Sequence, residues 1–106
     1  PYTAGGADAA GRARNLRAMN EAAAALLRLG HVPVVGVNMA LPVIEADGGP
    51  DAFDRIVMPL SLALAERCDA FLRIGGPSAG ADREAERIAA RGGPVYRALA
   101  EVPPAA

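Results

Sequence analysis

The stretch GGPSAGADREAER, residues 75–87, places glycines at 75, 76 and 80 around Ser78, with Glu84 six positions after that serine. Glycines let a backbone turn sharply and approach a ligand closely. Residues 78–81 would form the first turn of a helix, whose unpaired N–H groups and positive dipole end favour an anion. The Ser78 hydroxyl adds a donor. Glu84 lies about one turn further in, where the helix end and its donors favour the charged form. An ionised carboxylate on a pocket floor can act as a nucleophile. The same residues have a plainer reading, in which Ser78 only caps the helix and Glu84 pairs with Arg87 on a solvated face. A Gly-rich turn between strand and helix is a weak motif by itself, and both readings stand at this point.

The elements that must position these residues alternate. ARNLRAMNEAAAALLRLG carries Leu16, Met19, Ala23, Leu26 and Leu27 at helical spacing, with Arg14, Arg17, Glu21 and Arg28 opposite and Gly30 as a stop. HVPVVGV, residues 31–37, is short, β-branched and almost wholly apolar, as in a strand buried on both faces. Residues 38–50 read as a long loop ending in a turn. DAFDRIVMPLSLALAERC returns to helical spacing, with Pro59 kinking or splitting it. DAFLRI is a second strand, AGADREAERIAARGG a third helix and PVYRAL a last strand.

Strands alternating with helices imply right-handed crossovers and a mostly parallel sheet. The expected fold is therefore α/β: a three-layer flavodoxin/Rossmann-like sheet with helices on both faces. PYTAGGADAAG looks like the loop after a strand, so a first, central strand is expected upstream of Pro1. Ligands in such folds bind beyond the carboxyl ends of the strands. Residues 1–12, 38–50 and 75–80 would then share one rim. A single domain over residues 1–106 is expected, with 98–106 as a tail.

Composition narrows the class. Net charge is −1, with both signs mixed along 106 residues. A nucleic-acid-binding surface would show clustered Lys and Arg with stacking aromatics, so no polymer of that kind is expected as a partner. One cysteine, Cys68, excludes an intrachain disulfide and suits a reducing compartment. No apolar run nears the roughly 18 residues of a membrane span, and no signal peptide is visible. The expectation is a soluble, cytoplasmic chain with no membrane partner. No His, Cys, Asp or Glu cluster has ligand spacing, so neither metal nor cofactor is expected.

The order PYTAGG, then RN with GHVPV, then CDAFLRIGGPSAGADREAERIAARGGPVY resembles the nucleoside 2-deoxyribosyltransferase superfamily over roughly residues 1–97. That group includes deoxyribonucleoside 5′-monophosphate N-glycosidases. Its most specific part here is Ser78-x-Gly80-x-x-x-Glu84, followed by GGPVY. The resemblance implies that Glu84 is the nucleophile that attacks the anomeric carbon and releases the base. It also implies that Ser78, with Gly80, helps hold the 5′-phosphate, as in the monophosphate-hydrolysing branch. The glycine-containing first loop implicates Tyr2, Thr3, Gly5 and Gly6 in contacts to sugar or phosphate. Members oligomerise with sites near subunit interfaces, which implies a homodimer or higher oligomer. Nucleotide phosphoribohydrolases also place a helix glutamate after a Gly-rich turn, but their GG-x-GT-x-x-E spacing fits GGPSAGADRE less well.

The sequence departs from the family pattern at one position. Family enzymes carry a second carboxylate on the helix before the CDA strand, and counting back eight residues from Asp69 reaches Ser61. If that helix runs back down the sheet, Ser61 lies toward the rim and belongs to the substrate-binding set. Asp69 precedes its strand, at the wrong end of the sheet. Asp82 is two positions from Glu84 and points to another side of the helix. Glycoside cleavage generally uses two carboxylates. Three readings follow: a nucleotide N-glycosidase or deoxyribosyltransferase-like enzyme first, then a non-catalytic nucleotide or sugar-phosphate binding module on the same fold, and third a structural assembly part whose pocket is incidental.

Other residues carry paired readings. Asn38, directly after its predicted strand, contacts a base or ribose, or makes a turn. Arg73 interrupts an apolar strand, where it reaches a phosphate, lines an edge or meets another subunit. His31 suits a helix C-terminus, and Asn15 holds the first loop or caps its helix.

Overall fold

The computed structural model describes residues 1–106. A 3-10 turn at Ala4–Gly6 leads into α1 (Ala9–Arg28); α2 (Gly36–Asp47) and α3 (Ala52–Ala65) follow. Then come β1 (Phe71–Leu72), α4 (Ala79–Ala90), β2 (Val95–Tyr96) and a closing 3-10 turn at Leu99–Glu101.

Local chemistry sets the helix ends. The Asp8 carboxylate accepts from the Gly11 amide at 2.8 Å, capping α1. At the other end Gly30 takes φ +90°. Its amide donates to the Leu27 carbonyl and the His31 amide to that of Leu26, which together make a Schellman stop. α4 ends the same way at Gly92 (φ +81°), with the Gly92 amide on Ala89 and the Gly93 amide on Ile88.

α2 and α3 form an antiparallel hairpin. Its closed end carries the Asp47–Arg55 ion pair at 2.7 Å, and at its open end Gly36 faces Ser61. α4 lies on the other side of α3. Gly80 meets Met58 near its start, while Arg87 pairs with Glu66 and Arg91 donates to the carbonyls of Ala65, Glu66 and Cys68 near its end. The core between these helices is built from small side chains and one large one: Val37, Ala40, Ala52, Ala65, Ala85 and the fully buried Ile88. α1 is more loosely held, with Asn15 donating to the Tyr2 carbonyl at 2.9 Å and Asn38 to the Asn20 side chain at 2.6 Å. No helix is long and apolar enough to cross a membrane.

The three-layer flavodoxin/Rossmann-like sheet with helices on both faces does not form. The fold is mostly helical, and its sheet has two parallel strands, with Phe71 opposite Val95 and Leu72 opposite Tyr96. Of the alternating pattern read from sequence, only the β1–α4–β2 crossover is built as one unit. Two physical reasons account for the rest. Residues 31–35 join no helix and no strand: Val32 is 89% exposed, and the Val32 and Val34 amides have no backbone acceptor. The apolar run then continues at Val37, Ala40, Leu41 and Ile44, which is helical spacing. Residues 38–47, expected as loop, therefore belong to α2 and bury Ala40 against α3. Pro42 is accommodated on the exposed side of that helix. The first strand expected upstream of Pro1 falls outside residues 1–106.

The expected tail folds back on α1. The Ala105 amide donates to the Leu29 carbonyl at 2.8 Å. His31 donates from Nε2 to the Pro103 carbonyl at 2.7 Å, so it ties the chain end to the helix C-terminus.

Candidate active site around Glu84

β1 delivers Arg73 to the start of the Gly-rich loop. The Arg73 amide completes the ladder by donating to the Tyr96 carbonyl at 2.8 Å, and its side chain is 9% exposed. That guanidinium makes three bonds: Nε to the Asp82 carboxylate at 3.0 Å, one terminal nitrogen to the Ile74 carbonyl at 2.7 Å, the other to the Gly76 carbonyl at 2.9 Å. A single buried cation thus holds both the loop and the first turn of α4. Charge-assisted bonds of this kind are stronger than neutral ones.

The loop turns at Gly75, where φ is +86° and a Cβ would come 2.5 Å from the Pro1 ring. Only glycine fits there, on conformation and on space alike. A Cβ on Gly76 would lie 3.4 Å from Ala4, so residues 1–4 and 75–76 are stacked. Two of the three segments expected at one rim therefore do lie together. The third, residues 38–50, is mostly helix.

Ser78 enters α4 with extended backbone, and its Oγ accepts from the Ala81 amide at 3.1 Å. This is the capping geometry weighed from sequence, and it leaves the hydroxyl hydrogen free to donate. Gly80 lies against α3: a Cβ there would meet the Met58 sulfur at 3.2 Å. Its glycine serves close helix approach on that side.

Glu84 sits on the inner side of α4, half-buried, one position before the buried Ala85 and one turn before Ile88. Burial raises its pKa above the ordinary carboxylate range, against the opposing pull of Arg73. Among the influences on this carboxyl, desolvation is larger than the attraction of the nearby guanidinium. A carboxyl in such surroundings holds its proton to higher pH than an exposed one, and once ionised it can act as a nucleophile.

The remaining expected residues are spread over three places. Tyr2 stacks on Phe53, with ring centroids 6.1 Å apart and planes at 26°. Tyr2 and Thr3 line a cavity of about 420 Å³ together with Arg12, Leu41 and Phe53. Gly5 and Gly6 follow in the 3-10 turn with positive φ and open space around them. Asn38 is exposed on α2, paired with Asn20. Ser61 is buried where α2 meets α3, against Gly36.

The residues brought together are thus Ser78, Gly80 and Glu84 on α4, with Gly75 and the first four residues beside them. Sequence reasoning did not assign Phe53 and Arg12 to the first-loop cavity, nor Met58 to the Gly80 contact. Phe53 and Met58 lay inside an amphipathic helix and carried no separate signal. Arg73 did carry one, as a lone charge in an apolar strand. Comparison with family models, curated proteins and solved structures finds no match to this chain.

Proposed function

We propose that this chain is a nucleotide N-glycosidase or deoxyribosyltransferase-like enzyme acting on nucleoside 5′-monophosphates. The observation that carries the reading is Glu84: an inward, half-buried carboxyl one turn inside a helix that opens with Ser78 and Gly80. The spacing of those three residues is also the most specific part of the resemblance to the nucleoside 2-deoxyribosyltransferase superfamily. In the proposed reaction the ionised Glu84 oxygen forms a bond to the anomeric carbon. The N-glycosidic bond breaks, and its electron pair leaves with the base, which takes a proton from solvent. Water, or a second base in transfer, then displaces Glu84. The Ser78 hydroxyl and the free amides at the start of α4 would hold the 5′-phosphate.

The test is to incubate the protein with ribo- and deoxyribonucleoside 5′-monophosphates and follow release of free base. Release that disappears in Glu84→Gln supports the reading; no release from the wild type with any substrate overturns it.

A second reading, a binding module without turnover, is favoured by the position of Ser61. Its side chain packs against Gly36, and this leaves the proposed site without the second carboxylate that glycoside cleavage generally uses. Monophosphate binding without base release, weakened in Ser78→Ala, distinguishes it. Self-association belongs to either reading. The exposed Leu27, Val32, Val34, Met39 and Val43 support it, and light scattering over a concentration series decides it.

A further inference from the structure

We infer that Arg73 is a positioning residue: its buried guanidinium clamps the Gly-rich loop to the first turn of α4 and so sets where Ser78 stands relative to Glu84. The three bonds diverge. Two reach carbonyls on one side of the loop, Ile74 and Gly76, and the third reaches Asp82 inside the helix. Residues 77–81 span the distance between the anchored Gly76 and Asp82, and Ser78 lies within that span. An arginine suits this task because its planar fork fixes several directions at once, whereas a lysine offers a single point charge. With its donors directed to Asp82, Ile74 and Gly76 and little of its side chain exposed, Arg73 is spent on the protein. An incoming anion would instead meet the Ser78 hydroxyl and the helix amides. The geometry is independent of the reaction proposed above and holds whatever ligand the loop takes.

The consequence is a separation between shape and charge. Arg73→Lys keeps the positive charge beside Glu84 and loses the fork; Arg73→Gln loses both. The experiment is NMR on the full chain without ligand, with two readouts. Backbone order at Gly75, Gly76 and Ser78 reports the clamp, and the carboxyl carbon of Glu84 reports the charge. Order parameters near 0.85 in the wild type should fall below about 0.6 in both variants. The Glu84 titration midpoint should rise in Arg73→Gln and stay close to wild type in Arg73→Lys. Asp82→Asn, at an exposed carboxylate, removes the charge from one of the three bonds. It should loosen Ser78 by a smaller amount, which keeps the test available if the Arg73 variants fail to fold.

A loop as rigid in Arg73→Lys, or in Asp82→Asn, as in wild type would overturn the inference. So would inorganic phosphate that shifts the Arg73 Nε–H resonance and breaks its bond to Asp82, because Arg73 would then be the anion ligand. Absence of base release from the wild type, with the loop result intact, would remove the glycosidase reading and leave the clamp standing.

Discussion

The Ser61 hydroxyl lies 2.6 Å from the place where a side chain on Gly36 would begin, so α2 and α3 cross on a serine and a hydrogen atom. That contact decides what a substitution at either position does. Gly36→Ala pushes a methyl group into Ser61 and should cost about 1–3 kcal/mol, the range for overpacking a filled site. Ser61→Asp adds an unpaired carboxylate to the same contact and should cost more, whereas Ser61→Ala should be nearly neutral. Urea unfolding of the three variants checks the order. A gain of glycosidase activity in a stably folded Ser61→Asp would show instead that position 61 can reach the site.

Ile88 is the one large side chain with no exposed surface, and Gly93 packs directly on it. Ile88→Ala should lower stability by about 2–5 kcal/mol through lost burial and the cavity left behind. Calorimetry should show the loss, and far-UV circular dichroism should show unchanged helix content well below the transition.

The Glu84 carboxyl titrates above its ordinary range because it is buried, and the sign of its pH effect follows. In the window between the unfolded and folded pKa, the folded chain binds more proton than the unfolded one, so stability falls as pH rises. The contribution is complete below the unfolded value, near 4.3 in model peptides, and is lost as pH passes the folded one. Glu84→Gln should flatten this dependence and match or exceed wild-type stability at neutral pH. Asp47 runs the other way: its bonds from Arg55 and from the Gly49 amide lower its pKa, so the stability it gives is lost as pH falls through the folded value. Urea midpoints from pH 2 to 8 for wild type, Glu84→Gln and Asp47→Asn separate the two.

Ser78 caps α4 through its bond from Ala81. Ser78→Ala should cost about 0.5–2 kcal/mol of stability. Ser78→Asp should keep the cap, since aspartate serves as well at that position, yet repel a phosphate. If the proposed site is right, titration with a nucleoside monophosphate should show weak binding in both variants, with stability reduced only in the alanine one.

Elements that carry their own stop signals were legible in the sequence. α1 ends at Gly30 and α4 at Gly92, each because a glycine with positive φ closes the last turn. The crossover from β1 through α4 to β2 was legible because its strands and helix are adjacent in the chain. The segment at 31–37 misled, since a short β-branched run has the same composition in a strand as at the entry to a helix. Asn38 and Pro42 hid the helical spacing of Val37, Ala40 and Ile44. The start of α4 lies where the sequence put it, with Ser78 at the cap and Gly80 and Glu84 within the helix. The rim assigned to Ser61 and Asn38 was tied to a sheet that does not form. The upward shift of the Glu84 pKa comes from burial, which no local spacing reveals.

The tract at residues 31–35, outside every helix and strand, leaves the chain with an adhesive margin. Exposed valines at 32 and 34 stand beside unclaimed amides, the combination that recruits strands from neighbouring molecules. Pro33 lies between them and has no hydrogen to offer, so it interrupts the row at its midpoint. Replacing it with threonine would restore an unbroken template. Fibril growth, followed by dye fluorescence, should then begin sooner than in the parent chain.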